Sequence, residues 1–186
     1  MTVFCRLNFS RREVGQVTRR DLIHKWSVYA LALMLVWVAD AYLLPRYPLF
    51  GLTPMLLPAA LAAVAVLEGT LAGCGFGLAV GLLWEAGYAG GFGGMVLFLA
   101  LMGLAAGALS QYVLSQSLPG CLLCTAGILF LLDGFRLLRG LITNTATLYP
   151  LLAVAVPECL LSLLWTPLIY LLFRAVFNRV GGTKLA

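Results

Sequence analysis

Apolar residues in this chain come in runs long enough to form whole helices, and charges fall mainly between the runs. A helix needs about 20 mostly apolar residues to cross the hydrocarbon core of a bilayer. The first run, 26–44, carries a single charge, Asp40, and is closed by Pro45, Arg46 and Pro48. A second occupies 50–67, with Pro54 and Pro58 in its first half, and Glu68-Gly69 separates it from a third at 70–84. Glu85 and a glycine-rich stretch, Gly87 to Gly94, follow, and these read as a loop. Further runs cover 95–114, 118–141 and 148–173. The pattern predicts an all-α bundle of six transmembrane helices; Glu68 divides a stretch that can also be drawn to give five or seven.

Composition excludes the other broad classes. Of 186 residues, 62% are hydrophobic and 10% charged, with a mean hydropathy of +1.02. Soluble domains are about 45–50% apolar and about 25% charged. A soluble globule has too few polar residues here to cover its surface, and disordered chains are charged and poor in apolar groups. Five cysteines, four of them in apolar runs, do not make a disulfide framework. The expected organisation is a basic segment at 1–25, one transmembrane domain at 26–177 and a short tail at 178–186.

Charge sets the expected orientation. Arg6, Arg11, Arg12, Arg19, Arg20 and Lys25 precede the first run, and Arg174, Arg179 and Lys184 follow the last. With six spans, nine of the 12 basic residues share one side, leaving Arg46, Arg136 and Arg139 on the other. Positive flanks stay inside, so both termini are expected in the cytoplasm, and the net charge of +5 expresses topology and attraction to anionic lipids. The basic residues lack the aromatic interleaving of a nucleic-acid module. Thr18-Arg19-Arg20-Asp21-Leu22 loosely resembles a twin-arginine export signal, with Ala39-Asp40-Ala41 as a cleavage site. The apolar run between them exceeds the 7–15 residues of a signal peptide, and it reads as an uncleaved first span.

Two constellations stand out inside the runs. Gly69, Gly73, Gly77 and Gly81 repeat every four residues, forming one groove along the third run, with Gly75 off that face. Gly103 and Gly107 repeat the device in the fourth run, extended by Ala100. Small residues four apart let helix backbones approach in lipid, where apolar exclusion gives no attraction. Such a face packs against another helix of this chain or docks a partner. The second constellation is Asp133, Arg136 and Glu158, ionisable groups of a kind that is costly within a span. Asp133 and Arg136 are i, i+3 neighbours, and helix rise puts Arg136, Asp133 and Glu158 roughly 8, 12 and 15 Å below the far surface. They read as one buried ion network; the simpler alternative is that Arg136 and Arg139 mark the membrane edge. Pro157, beside Glu158, frees a backbone carbonyl. Glu68, Glu85 and Asp40 lie near the ends of runs and read as solvated boundary residues.

Catalytic chemistry finds little material. His24, the one histidine, lies in the basic segment, so no histidine dyad forms within the bundle. Cys121-x-x-Cys124 has redox or zinc spacing without a second pair or a histidine. Gly90-Gly91 and Gly93-Gly94 are not followed by the Lys-Ser/Thr of a phosphate loop. No enzyme, metal or cofactor is expected.

Three stretches resemble the MreD family of bacterial rod-shape-determining membrane proteins. They are Leu44-Pro45-Arg46-Tyr47-Pro48-Leu49-Phe50-Gly51-Leu52-Thr53-Pro54; Glu68-Gly69 with Gly73-x-Gly75-Phe76-Gly77-x-x-x-Gly81-Leu82-Leu83-Trp84-Glu85; and Pro157-Glu158 with Leu163-Leu164-Trp165-Thr166-Pro167-Leu168-Ile169-Tyr170. The resemblance covers about residues 20–177. It implies a non-catalytic scaffold of the cell-elongation machinery in the cytoplasmic membrane. Its implied partners are an MreC-like protein, a RodA-type glycosyltransferase, a class B penicillin-binding protein and MreB filaments. The substrate-binding subunits of energy-coupling-factor vitamin transporters, also six-span and thought to share the fold, are the competing likeness. In that reading Asp133, Arg136 and Glu158 would touch a ligand. The first span lacks the Ala-x-x-x-Ala ridge that family uses for docking, since Met34 stands four residues after Ala30.

Overall fold

The computed structural model describes residues 19–46, 53–87, 93–112, 117–142 and 148–180. All regular structure among them is helical: α1 (Arg19–Val38) continued by a π-helical turn (Ala39–Leu43), α2 (Leu56–Glu68), α3 (Thr70–Gly87), α4 (Gly94–Tyr112), α5 (Leu118–Ile142) and α6 (Leu148–Val180). Five segments are long and apolar enough to span a bilayer: Ile23–Leu43, Thr70–Gly87, Gly94–Tyr112, Leu118–Leu138 and Ala155–Arg179. Their outer faces expose Leu31, Leu35, Leu101, Phe130, Leu164 and Leu168, among others. A bundle that turns such residues outward needs hydrocarbon around it. The protein is a multi-pass, all-helical membrane protein.

The second apolar run departs from the expected span. It yields a helix of 13 residues, about 20 Å long and too short for the roughly 30 Å hydrocarbon core. The reason is its position. Every residue from Leu56 to Leu67 is buried, and Ala59 to Val66 have no exposed surface at all. The other five helices wall α2 in. A helix apolar on every side is stable when enclosed by other helices just as when enclosed by lipid, and an enclosed one need not match the membrane's thickness.

Gly69 turns α2 into α3 in a single residue. Its φ of +91° is a conformation L side chains rarely adopt, and a side chain there would strike Gln111. The Gly69 N–H donates to the Ala65 carbonyl (3.0 Å), and Gly73 N–H to the Gly69 carbonyl (2.8 Å). The chain folds back so closely that a Cβ on Gly73 would lie 2.9 Å from the Cβ of Ala65. From there α3 and α4 run antiparallel, backbone against backbone. A Cβ on Gly77 would come within 2.5 Å of the Leu99 carbonyl oxygen, one on Gly81 within 2.6 Å of Val96 Cα, and one on Gly107 within 2.6 Å of Thr70 Cα. Gly73 and Gly103 face each other's carbonyls at the middle of the seam. Gly75 faces open space.

The remaining helices continue the alternation. Phe98 on α4 stacks on Phe135 of α5 (5.4 Å), and Tyr29 of α1 on Phe173 of α6 (6.2 Å), with Phe76 of α3 edge-on to Phe173 (5.8 Å). Since α1 begins and α6 ends beyond the Tyr29–Phe173 stack, the described bundle starts and finishes at one end. Lys25 marks that end and Asp40 the opposite one. Helix α1 starts at Arg19, ahead of the expected boundary at residue 26, and α6 runs through Pro157 and Pro167 to Val180, beyond the expected 173. Residues 88–92 of the glycine-rich loop and 47–52 of the proline turn lie outside the described residues.

Candidate functional site

Two polar clusters cap the buried helix α2, one at each end. The first N–H groups of any helix lack intrahelical partners, and inside a bundle water is not there to replace them. Here two neighbouring helices supply acceptors. Asp40, buried in the π-helical turn after α1, accepts the Leu56 N–H at 2.9 Å. Ser162 on α6 accepts the Met55 N–H at 2.8 Å while its hydroxyl donates to the Glu158 carbonyl (2.8 Å). A carboxylate at a helix N-terminus also meets the positive end of the helix dipole. Asp40 is therefore a helix cap and not a solvated boundary residue.

Helix α5 adds to the same end. Asp133 Oδ1 lies 3.7 Å from Arg136 Nη1, and Asp133 Oδ2 accepts the thiol of Cys159 at 3.0 Å. The Arg136 guanidinium sits over the Trp84 ring of α3, 5.4 Å from its centroid. Glu158 on α6 immediately precedes Cys159, whose thiol meets Asp133, and its carbonyl accepts the Ser162 hydroxyl. Asp133, Arg136 and Glu158 thus share one region with Asp40, Cys159 and Ser162, spread over the π-helical turn, α5 and α6. Glu85, at the C-terminal end of α3, keeps Oε1 buried with no hydrogen-bond partner among the described residues.

The other end of α2 holds the shortest ion pair. Glu68 Oε2 lies 2.5 Å from Lys25 Nζ, and Tyr29 OH donates to Glu68 Oε1 at 2.9 Å. The Lys25 and Glu68 side chains are only 9% and 4% exposed. A buried charge is tolerated when it is paired and hydrogen-bonded. This cluster binds the start of α1 to the turn between α2 and α3, so neither Glu68 nor Lys25 is a solvated flanking residue. Beside it, Thr70 donates to Gln111 Oε1 (2.9 Å) and Ser110 to the Val66 carbonyl (3.0 Å), joining α3 and α2 to α4.

The glycines Gly73, Gly77, Gly81, Gly103 and Gly107 lie in the α3–α4 seam, and Gly69 forms the turn before it. Cys121 and Cys124 are buried on α5, with the Cys124 thiol directed at the Ala106 carbonyl at 3.9 Å. No three His, Cys, Asp or Glu side chains among the described residues converge as metal ligands. Sequence reasoning missed the Lys25–Tyr29–Glu68 cluster and the Asp40 cap, whose partners are 43, 39 and 16 positions apart. The available signal was the cost of an unpaired charge beside an apolar run, which demands a partner without naming it. Most of these contacts satisfy helix ends or tie separate helices together, while Asp133–Arg136 and the Ser162–Glu158 hydrogen bond lie within single helices. No protein-family model, curated protein or solved structure matches the chain.

Proposed function

We propose that the protein is a non-catalytic scaffold of the bacterial cell-elongation complex. It binds an MreC-like protein in the cytoplasmic membrane and holds the wall synthases and MreB filaments of lateral peptidoglycan synthesis in register. The resemblance of the proline turn, the glycine-rich helix and the last helix to the MreD family supports this reading. The observation that carries it on the structural side is the use of the interior. The glycine seam and both polar clusters join this chain's own helices, which leaves the outer faces of α1, α5 and α6 for neighbours in the membrane. Charge supports cytoplasmic termini. Among the described residues the Lys25 end carries Arg19, Arg20, Lys25, Arg174 and Arg179 against Asp21 and Glu68, a formal +3. The Asp40 end carries Arg46, Arg136 and Arg139 against Asp40, Glu85, Asp133 and Glu158, a formal −1.

One observation favours a second reading, the substrate-binding subunit of an energy-coupling-factor vitamin transporter. Asp40, Asp133, Arg136 and Glu158 gather at the end that the charge bias places outside, where such a subunit would hold its ligand. Depletion of the protein in its native host separates the two. Rods that swell into spheres, with normal growth shape restored by the intact chain, support the scaffold. Cells that keep their shape and instead need a vitamin supplement support the transporter subunit.

A further inference from the structure

The Lys25 end of the seam between α1 and α6 combines three features. Tyr29 and Phe173 stack across the seam. Trp26, one turn beyond Tyr29, is 37% exposed with its ring 6.0 Å from that of Tyr29. Arg174, immediately beyond Phe173, is exposed and holds its guanidinium 6.0 Å from the centroid of the buried Tyr170 ring. We infer that this seam is a binding site for the phosphate headgroup of an anionic phospholipid, with Arg174 as its anchor. This reading goes beyond the scaffold proposal and does not depend on it.

Position, charge and geometry converge. Trp and Tyr concentrate at headgroup depth, and Arg174 lies five residues before the end of the membrane-length segment Ala155–Arg179, from where its side chain reaches the interface. Among the described residues no carboxylate forms an ion pair with Arg174 or Arg179, and Glu68 at this end is already engaged by Lys25 and Tyr29. Among the described residues the positive charge of Arg174 is therefore not neutralised by a carboxylate. The guanidinium lies 6.0 Å from the Tyr170 ring centroid, and the planar N–H edge of an exposed arginine can bind a phosphate through two parallel hydrogen bonds. A zwitterionic headgroup offers the same phosphate with a cancelling ammonium, so the site selects for net negative charge.

The test is a lipid titration of the purified full chain followed by native mass spectrometry, with phosphatidylglycerol and phosphatidylcholine as probes. The wild type should take up its first phosphatidylglycerol more tightly than its first phosphatidylcholine. Arg174→Gln should weaken the former about five-fold, the effect of one cation near an anionic surface, and Arg174→Lys should lose less. Arg46→Gln, at the opposite end, should leave it unchanged. Arg174 is exposed, so unaltered melting of Arg174→Gln in phosphatidylcholine serves as the check on folding. Equal affinity of the wild type for both lipids would overturn the site. So would a phosphatidylglycerol preference that survives Arg174→Gln and disappears only on removal of residues 1–18.

Discussion

At the residue scale, the groups that matter most are charges placed where charges are expensive. Lys25 and Glu68 are buried as a pair, and removing either leaves the other's charge buried without its opposite. Breaking a buried pair by removing one partner costs about 3–5 kcal/mol, whereas replacing both with apolar groups of similar volume is close to neutral. Glu68→Gln and Lys25→Met should each lower the melting temperature sharply in detergent, and Lys25→Met with Glu68→Leu should recover part of the loss, the buried Tyr29 hydroxyl then lacking its acceptor. A double variant as unstable as the sum of the singles would mean that the two side chains act separately. Asp40 sets up a finer comparison. Asp40→Asn keeps an oxygen for the Leu56 N–H and should stay near wild-type stability, while Asp40→Ala should lose about 1 kcal/mol or more as a deleted cap. Equal melting of the two would remove the capping role.

At the scale of elements, the chain shows what hydropathy can and cannot express. The packing faces of α3 and α4 were legible because each is written locally, as glycines four apart, whereas their meeting each other was left open by the sequence. The residue that reads as off that face, Gly75, does face open space. Leucine at position 77 would have to displace the Leu99 carbonyl, so Gly77→Leu should abolish accumulation of the folded protein in the membrane. Gly75→Leu should accumulate normally, and fluorescence-detected size exclusion of tagged variants reads both. Equal behaviour of the two would show that the seam does not need close approach. Helix α2 was only half legible. Its apolarity was evident, but apolarity is the same whether the neighbour is a lipid tail or another helix, so the sequence of 50–67 reads as a span. The enclosure of α2 depends on five helices elsewhere in the chain. The same holds for Glu68 and Asp40, whose boundary positions were plain and whose partners lie on helices that local spacing cannot bring together.

At the scale of the molecule, a short buried helix is enclosed by five longer ones. The two ends of the bundle differ in charge among the described residues by a formal +3 against −1. Under the proposed reading that asymmetry would orient the chain with its basic end toward the cytoplasmic leaflet, while the exposed apolar residues of the outer faces are open to other membrane helices. The decisive measurement is gentle purification of the tagged protein from its native membrane, with mass spectrometry of what comes with it. Recovery of an MreC-like protein together with a RodA-type glycosyltransferase and a class B penicillin-binding protein is the predicted result. Recovery of a pair of ATPases with a small membrane coupling protein, and none of the wall machinery, would contradict the scaffold and make the cluster around Arg136 a ligand site.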